Sequence, residues 1–271
     1  MRWWTGNGTD RPLYGREIDM CHPLAQGLVA AWLFNECGGS LVTDYVSMRQ
    51  SNPLPAGLSL NGLGLNGNGQ ANAQVVLPYS LNLIDDGGPY SVMAVASWTS
   101  TTKQLIYTED KAGVIGNAFQ IVVNNTSIGD INVYCAPSGT YVGGSITATG
   151  KWNDGNIHII ICTSNGNNSD ISLYIDGIFI GNAIQPNGIY STSRDTIAGF
   201  AGNTLWAFDG VLCAIYFWNL PIISDSILNS TTNIYSFIDG QFARSYSTLY
   251  CRLNSTTLNY EIGLKIIGLS L

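Results

Sequence analysis

A chain of 271 residues, 45% hydrophobic, with 31 Gly and only 11% charged residues, suits one large domain with extensions or two small ones. Its 11 Lys+Arg against 18 Asp+Glu give a formal net charge of −7 with no basic cluster, which argues against sequence-independent nucleic-acid binding and against attachment to anionic membranes. No apolar run is long enough to insert across a bilayer, and MRWWTGNGTDRPLYG lacks the apolar core of a secretory leader, so the chain is expected to work without export or to have lost a leader.

Residues 1–21 carry Trp3, Trp4 and Tyr14 among Gly, Asn and Arg, without periodicity. They read as an extended arm, and tandem Trp side chains favour docking over exposure to water. HPLAQGLVAAWLFNE (22–36) gives a strand over Leu28–Phe34, followed by a turn at Cys37–Ser40 and a short strand at Leu41–Val46. A Pro/Asn/Gly-rich loop over Ser51–Gly69 comes next. Further strands are expected at Ala73–Leu77, Tyr90–Thr99, Lys103–Thr108, Ala118–Asn124, Asp130–Ala136, Ser145–Thr149 and Ile157–Thr163.

SLYIDGIFIG (Ser172–Gly181) is the best-defined stretch. Apolar residues alternate on both sides of Asp176-Gly177, and Asp-Gly suits a type I′ turn because both central residues need φ > 0. Strands at Thr196–Phe200 and Val211–Trp218 follow. The nearly unbroken apolar run VLCAIYFW suits a strand buried on both faces or packed under a loop. Ile222–Tyr235 is the one helix expected, capped by Ser224. Residues 239–271 form a tail. Within it, strand 258–267 alternates Leu258, Tyr260, Ile262, Leu264 and Ile266 with polar residues, and pairs either with the chain's own sheet or with a neighbouring chain.

A dozen short strands with one short helix specify an all-β, antiparallel two-sheet β-sandwich over residues 22–238. Cys162 and Cys213 lie in apolar runs and read as buried thiols, and no cysteine spacing resembles a metal site.

The segments HPLAQGLVAAWLFNE, LNGNGQANAQVVLP, YSVMAVASW, KWNDGNIHIIICT, SLYIDGIFIG and FDGVLCAIYFWNLPIISDSILNSTTNIY appear in that order. Together they resemble the laminin-G-like, concanavalin A-like jelly roll in its bacterial and phage form. The resemblance implies a jelly-roll scaffold rather than one activity. Two departures stand out. Val211-Leu212-Cys213-Ala214 replaces the acidic pair that usually follows the family's FxG, and Asp44-Tyr45-Val46-Ser47 replaces its DxSG. Some relatives bind Ca²⁺ through acidic loop residues, so these departures put a calcium site here in doubt.

Glycoside hydrolysis needs two carboxylates flanking the bond, and no alternate-acid pattern occurs. Glu109 and Asp110 are adjacent and would face opposite ways on a strand. His22 and His158, the only two histidines, read as structural. No cofactor is expected. Ca²⁺ ligands, if any, would come from Asp44, Asp154, Asp170 or Asp209, although such acids more often cap turns. Carbohydrate binding needs aromatic platforms plus amides on loops or a concave face. The candidates are Trp98, Tyr134, Tyr141 and Trp206, and core burial is the competing role for each.

Low charge, no leader, no catalytic pattern and two tails lead to a first expectation. It is a non-enzymatic structural protein of a virus particle, a phage capsid decoration or head fibre made in the host cytoplasm. Trp3, Trp4, Tyr260, Ile262, Leu264 and Ile266 would anchor it to the capsid or to sister subunits as a homo-oligomer. The alternative is a glycan-binding adhesion module, free or tail-associated and extracellular.

Overall fold

The computed structural model describes residues 18, 25–36, 38–61, 63–81, 83–84, 87–110, 118–136, 144–186, 194–199 and 206–222. The expected helix at Ile222–Tyr235 and strand 258–267 lie outside them, apart from Ile222 itself. Among the described residues there is no α-helix, and no helix long and apolar enough to cross a membrane.

The strands in chain order are β1 (Leu28–Trp32), β2 (Leu58–Leu60), β3 (Leu65–Asn68), β4 (Val75–Val76), β5 (Tyr90–Ser97), β6 (Gln104–Asp110) and β7 (Ala118–Val123). They continue with β8 (Ile131–Ala136), β9 (Gly144–Ala148), β10 (His158–Ser164), β11 (Asp170–Ile175), β12 (Ile178–Ile184), β13 (Arg194–Ile197) and β14 (Asp209–Trp218). The larger sheet runs β12-β11-β10-β5-β14-β3-β2. β1 joins it along the C-terminal half of β14, beside the half that pairs with β3. The smaller sheet runs β4-β13-β6-β7-β8-β9, and all the pairings are antiparallel. The two sheets make the expected β-sandwich.

Period-two alternation decides what each face buries. Val92, Ala94 and Ala96 of β5, Ile160 and Cys162 of β10, and Ile215 and Phe217 of β14 point between the sheets. They meet Tyr107 of β6, Phe119 and Ile121 of β7, and Ile131 and Val133 of β8. The opposite set from the larger sheet, Met93, Val95, Ile159, Ile161, Ala214, Tyr216 and Trp218, forms a second buried cluster on its outer face. This explains the unbroken apolar run in β14: it is buried on both faces. Ile18 and Ala25 before β1, and Ile222 after β14, pack on that outer cluster.

The hairpin at Asp176-Gly177 joins β11 to β12, with φ of 52° and 78° at its two central residues, as a type I′ turn requires. The Ser51–Gly69 segment, expected as loop, holds β2 and β3. Gly67 lies where a Cβ would fall 2.0 Å from the Phe208 carbonyl oxygen, so the strand's weak composition reflects a close backbone approach. The strand expected at Leu41–Val46 forms only isolated bridges, Trp32 to Asp44 and Thr43 to Gln50. Here the Asp44 carboxylate draws in the Val46 and Ser47 N–H groups and turns the chain.

Rings tie the two sheets together. Phe217 lies 4.7 Å from Tyr107 and 5.7 Å from Trp32, and Phe119 lies 6.0 Å from Tyr107 and 5.5 Å from Tyr90, centroid to centroid. Phe217→Ala is therefore expected to cost about 3–5 kcal/mol of unfolding free energy, measured by urea titration. A loss below about 1 kcal/mol would show that the rings are not what joins the sheets.

Candidate functional site

The outer face of the smaller sheet differs from that of the larger. Its register sets Thr196 of β13, Thr108 of β6, Gln120 of β7, Tyr134 of β8 and Ser145 of β9 side by side in one row across the sheet. The neighbouring row is Leu105, Val122, Asn132 and Thr147. Asn132 Nδ2 donates to Thr147 Oγ1 at 2.7 Å, and Thr196 Oγ1 donates to the Gly199 carbonyl at 2.8 Å. Thr108 Oγ1 and Gln120 Nε2 are both enclosed and make no hydrogen bond.

Trp206 sits half-buried on Leu105 and Val122. The Lys103 ammonium lies 3.9 Å from the centre of its ring, a cation–π contact. Burial pushes the Lys103 pKa down, and nearby Asp130 only partly offsets this. Asp130 itself is held below the usual carboxylate range. Burial would raise it, but the Thr126 hydroxyl and the Ser127, Thr126 and Asn125 N–H groups, which all donate to its carboxylate, outweigh that effect. Thr196, Thr108 and Gln120 are buried, and the part of this face that reaches solvent, Tyr134, Ser145 and the half-buried Trp206, can hydrogen-bond hydroxyls and stack on an apolar ring face.

The expected platform residues divide. Tyr134 and Trp206 both lie on this face, Tyr134 in the polar row and Trp206 on the row beside it. Trp98 does not: it is only 1% exposed, within the inter-sheet core, and a closed-in indole cannot stack on a ligand. Tyr141 lies outside the described residues, as do Trp3, Trp4, Tyr260, Ile262, Leu264 and Ile266. Thr108 and Gln120 were not singled out from sequence, because Thr and Gln within a strand carry no motif. Only the pairing of β6 with β7 sets them side by side.

The four candidate calcium ligands do not converge. Among the described residues no three His, Cys, Asp or Glu side chains gather into a group that could hold a metal. Asp44 is fully buried, and its carboxylate accepts from the Ala31, Val46 and Ser47 N–H groups and from the Ser47 and Tyr79 hydroxyls. That makes it a structural anchor. Asp154 accepts from Asn156 and contacts His158, Asp170 accepts from Asn182, and Asp209 is an exposed residue opening β14.

The register also brings out a carboxylate pair that the sequence does not advertise. Glu109 of β6 stands opposite Asp195 of β13, and both are fully buried. Asp195 accepts the Leu81 N–H.

No family model matches the chain, and no curated protein matches it. Solved structures do. Trypanosoma rangeli sialidase in complex with 2,3-difluoro-KDN superposes with a TM-score of 0.58 at 15% identity, over 78% of this chain and 33% of that one. The binding domain of botulinum neurotoxin DC in complex with SialylT gives 0.56 at 12% identity, over 76% and 52%. The binding domain of Paraclostridial Mosquitocidal Protein 1 gives 0.56 at 10% identity, over 79% and 55%. The chain thus spans between a third and just over half of these structures. At such identities the likeness establishes the fold alone, a two-sheet β-sandwich.

Asp44→Ala leaves several buried donors without a partner. It is expected to cost about 2–4 kcal/mol, by the same amount with calcium or with chelator. A chelator-induced drop of about 5 °C or more in the wild-type Tm, more than 1 kcal/mol, would instead show that a bound cation stabilises the fold.

Proposed function

We propose that this chain is a non-enzymatic glycan-binding module whose ligand lies on the outer face of the smaller sheet. The observation that carries the reading is the pair of rings that reach solvent on that face, Tyr134 in the polar row and Trp206 on the neighbouring one, with the exposed Ser145 beside Tyr134. Sugar hydroxyls both donate and accept, and the C–H face of a sugar ring stacks on an indole such as Trp206. Tyr134 completes the row.

The fold neighbours add support, since one toxin binding domain is described in complex with a sialyl ligand. A binding role is favoured over hydrolysis because the carboxylates that the described strands set opposite each other, Glu109 and Asp195, are fully buried where substrate cannot flank them. The virus-particle role rests on sequence features alone, and the neighbours are a sialidase and toxin binding domains. The glycan reading therefore leads, with an extracellular or surface-displayed location as part of the proposal. The laminin-G-like resemblance is compatible with both roles.

The test is an array of immobilised neutral and acidic glycans, with variants compared on whatever binds. Tyr134→Ala and Trp206→Ala remove the two rings of that face that reach solvent. They are expected to lower Tm only modestly and to weaken binding about tenfold or more, while Thr108→Val, beneath the surface, is expected to leave binding unchanged. The reading fails if no glycan binds, or if the two substitutions destabilise the fold while sparing binding.

A further inference from the structure

His158 opens β10 at the end of the larger sheet where the β9–β10 connection meets the β11–β12 turn. Its ring is 8% exposed. Nδ1 lies 2.8 Å from Asp176 Oδ2, in the turn, and Nε2 lies 3.1 Å from Asp154 Oδ1, in the connection. Both partners accept hydrogen bonds when ionised, and a neutral imidazole carries only one N–H. Satisfying both contacts takes the imidazolium, with a proton on each nitrogen. The geometry points to a proton-operated latch: His158, when charged, ties the Lys151–Ile157 connection to the Asp176-Gly177 turn, and loss of one proton releases one of the two.

The surroundings fit a latch more than a plain core histidine. Among the described residues, the rings beside it are uncharged: Trp152 at 5.2 Å and Trp98 at 5.9 Å, both edge-on. Its ionisable neighbours are Asp154, 40% exposed, and Asp176, 26% exposed. Lys151, in the same connection, points to solvent and makes no ion pair with the cluster. Both carboxylates accept further hydrogen bonds, Asp154 on the Oδ1 that meets the ring as well as on Oδ2. Asp176 Oδ1 accepts the Ile159 N–H at 2.8 Å, and Asp154 accepts the Asn156 N–H and side-chain amide at 2.8 and 2.7 Å. Asp176 thus stays fixed to β10 without the imidazole. Asp154, the more exposed partner and the one with the longer contact, is the contact that opens. The connection it sits on is also held by the Trp152 N–H, which donates to the Gly129 carbonyl, by Asn153 Nδ2, which donates to the Ser100 carbonyl, and by Gly155, whose N–H donates to the Trp98 carbonyl and whose carbonyl accepts from Ser97 Oγ, so opening at Asp154 frees the stretch between Gly155 and His158.

The pH sense follows from both partners. Burial pulls the His158 pKa down, but the hydrogen bond and charge of Asp176, then those of Asp154, more than reverse this and hold it above the usual 6.5. A group raised on folding gives stability that is complete below its unfolded pKa and lost as pH rises through its folded one. At the acid end, Asp154 is held below its usual value. Burial would raise it, but its bonds to Asn156 and His158 prevail. Its share is present above about 3.8 and disappears as pH falls further. The latch is closed between those limits and opens on the alkaline side. It does not depend on what the smaller sheet binds.

The first measurement is an NMR titration of the imidazole nitrogens in the whole protein, with His22→Gln to separate the only other histidine. His158 should titrate above 6.5 with both nitrogens protonated at lower pH. Amide-exchange protection, corrected for intrinsic rates, should fall at Gly155 and Asn156 on passing that pKa and stay constant at Ile121 of β7. Asp154→Asn should move the His158 pKa toward its ordinary value and flatten the response at Gly155. A His158 pKa at or below 6.5, or protection at Gly155 that is unchanged across it in the wild type, would overturn the latch. The titration needs no substitution at His158, so a failure of His158→Gln to fold would leave the test intact.

Discussion

The whole arrangement hangs on one chain of rings that passes between the sheets. Trp32 and Tyr90 come from the larger sheet, Tyr107 and Phe119 from the smaller, and Phe217 of β14 stands between Trp32 and Tyr107. Two stacked sheets sit about 10 Å apart, and rings of this size fill that gap without voids. β14 can supply Phe217 because its other face is buried too. A strand in that position must be apolar at every residue. This central strand, flanked by β5 on one edge and by β1 and β3 on the other, fixes the register of the sheet.

The two outer faces have opposite characters, and that contrast bears on function. On the larger sheet the outer face continues the core, with Tyr216, Trp218 and Ile161 buried and the chain on either side of the sandwich, Ile18 and Ile222, laid against it. Such a face is committed to the fold. On the smaller sheet the outer row is Thr, Gln, Tyr and Ser, and two of its polar atoms are enclosed without partners. A stability-driven sheet would carry Val or Ile there. Strand propensity is kept along this row, since Thr and Tyr are good strand formers, and what gives way is polar satisfaction at the enclosed Thr108 and Gln120, while Tyr134 and Ser145 at its other end reach solvent.

Much of the fold was legible because its strands announce themselves. SLYIDGIFIG gives a hairpin, and YSVMAVASWT, IHIIICT and VLCAIYFW give the centre of the larger sheet. β2 and β3 were not legible. They are three and four residues long, and Gly67 is there because the Phe208 carbonyl leaves no room for a side chain. The site was legible only in part. Aromatic type picks out Tyr134 and Trp206 but equally Trp98, which is core; type alone cannot say which face a ring joins. Thr108, Gln120 and the Glu109–Asp195 pair depend on cross-strand register, and register is set by pairings that no local pattern encodes.

His158 shows the same limit from the other side. Taken alone it is a histidine entering a strand, and a structural role is a fair reading. What changes its meaning is the turn 18 residues later, which returns Asp176 to within 2.8 Å of Nδ1, while Asp154 four residues earlier reaches Nε2. The hairpin that the sequence declares most plainly is therefore also what turns an ordinary histidine into a group with two acceptors and a single proton too few to serve both when neutral. A fold built for stability would need only one of those carboxylates. The second, more exposed one adds little to the fold's stability, and its consequence is that the connection bearing Trp152 responds to a proton.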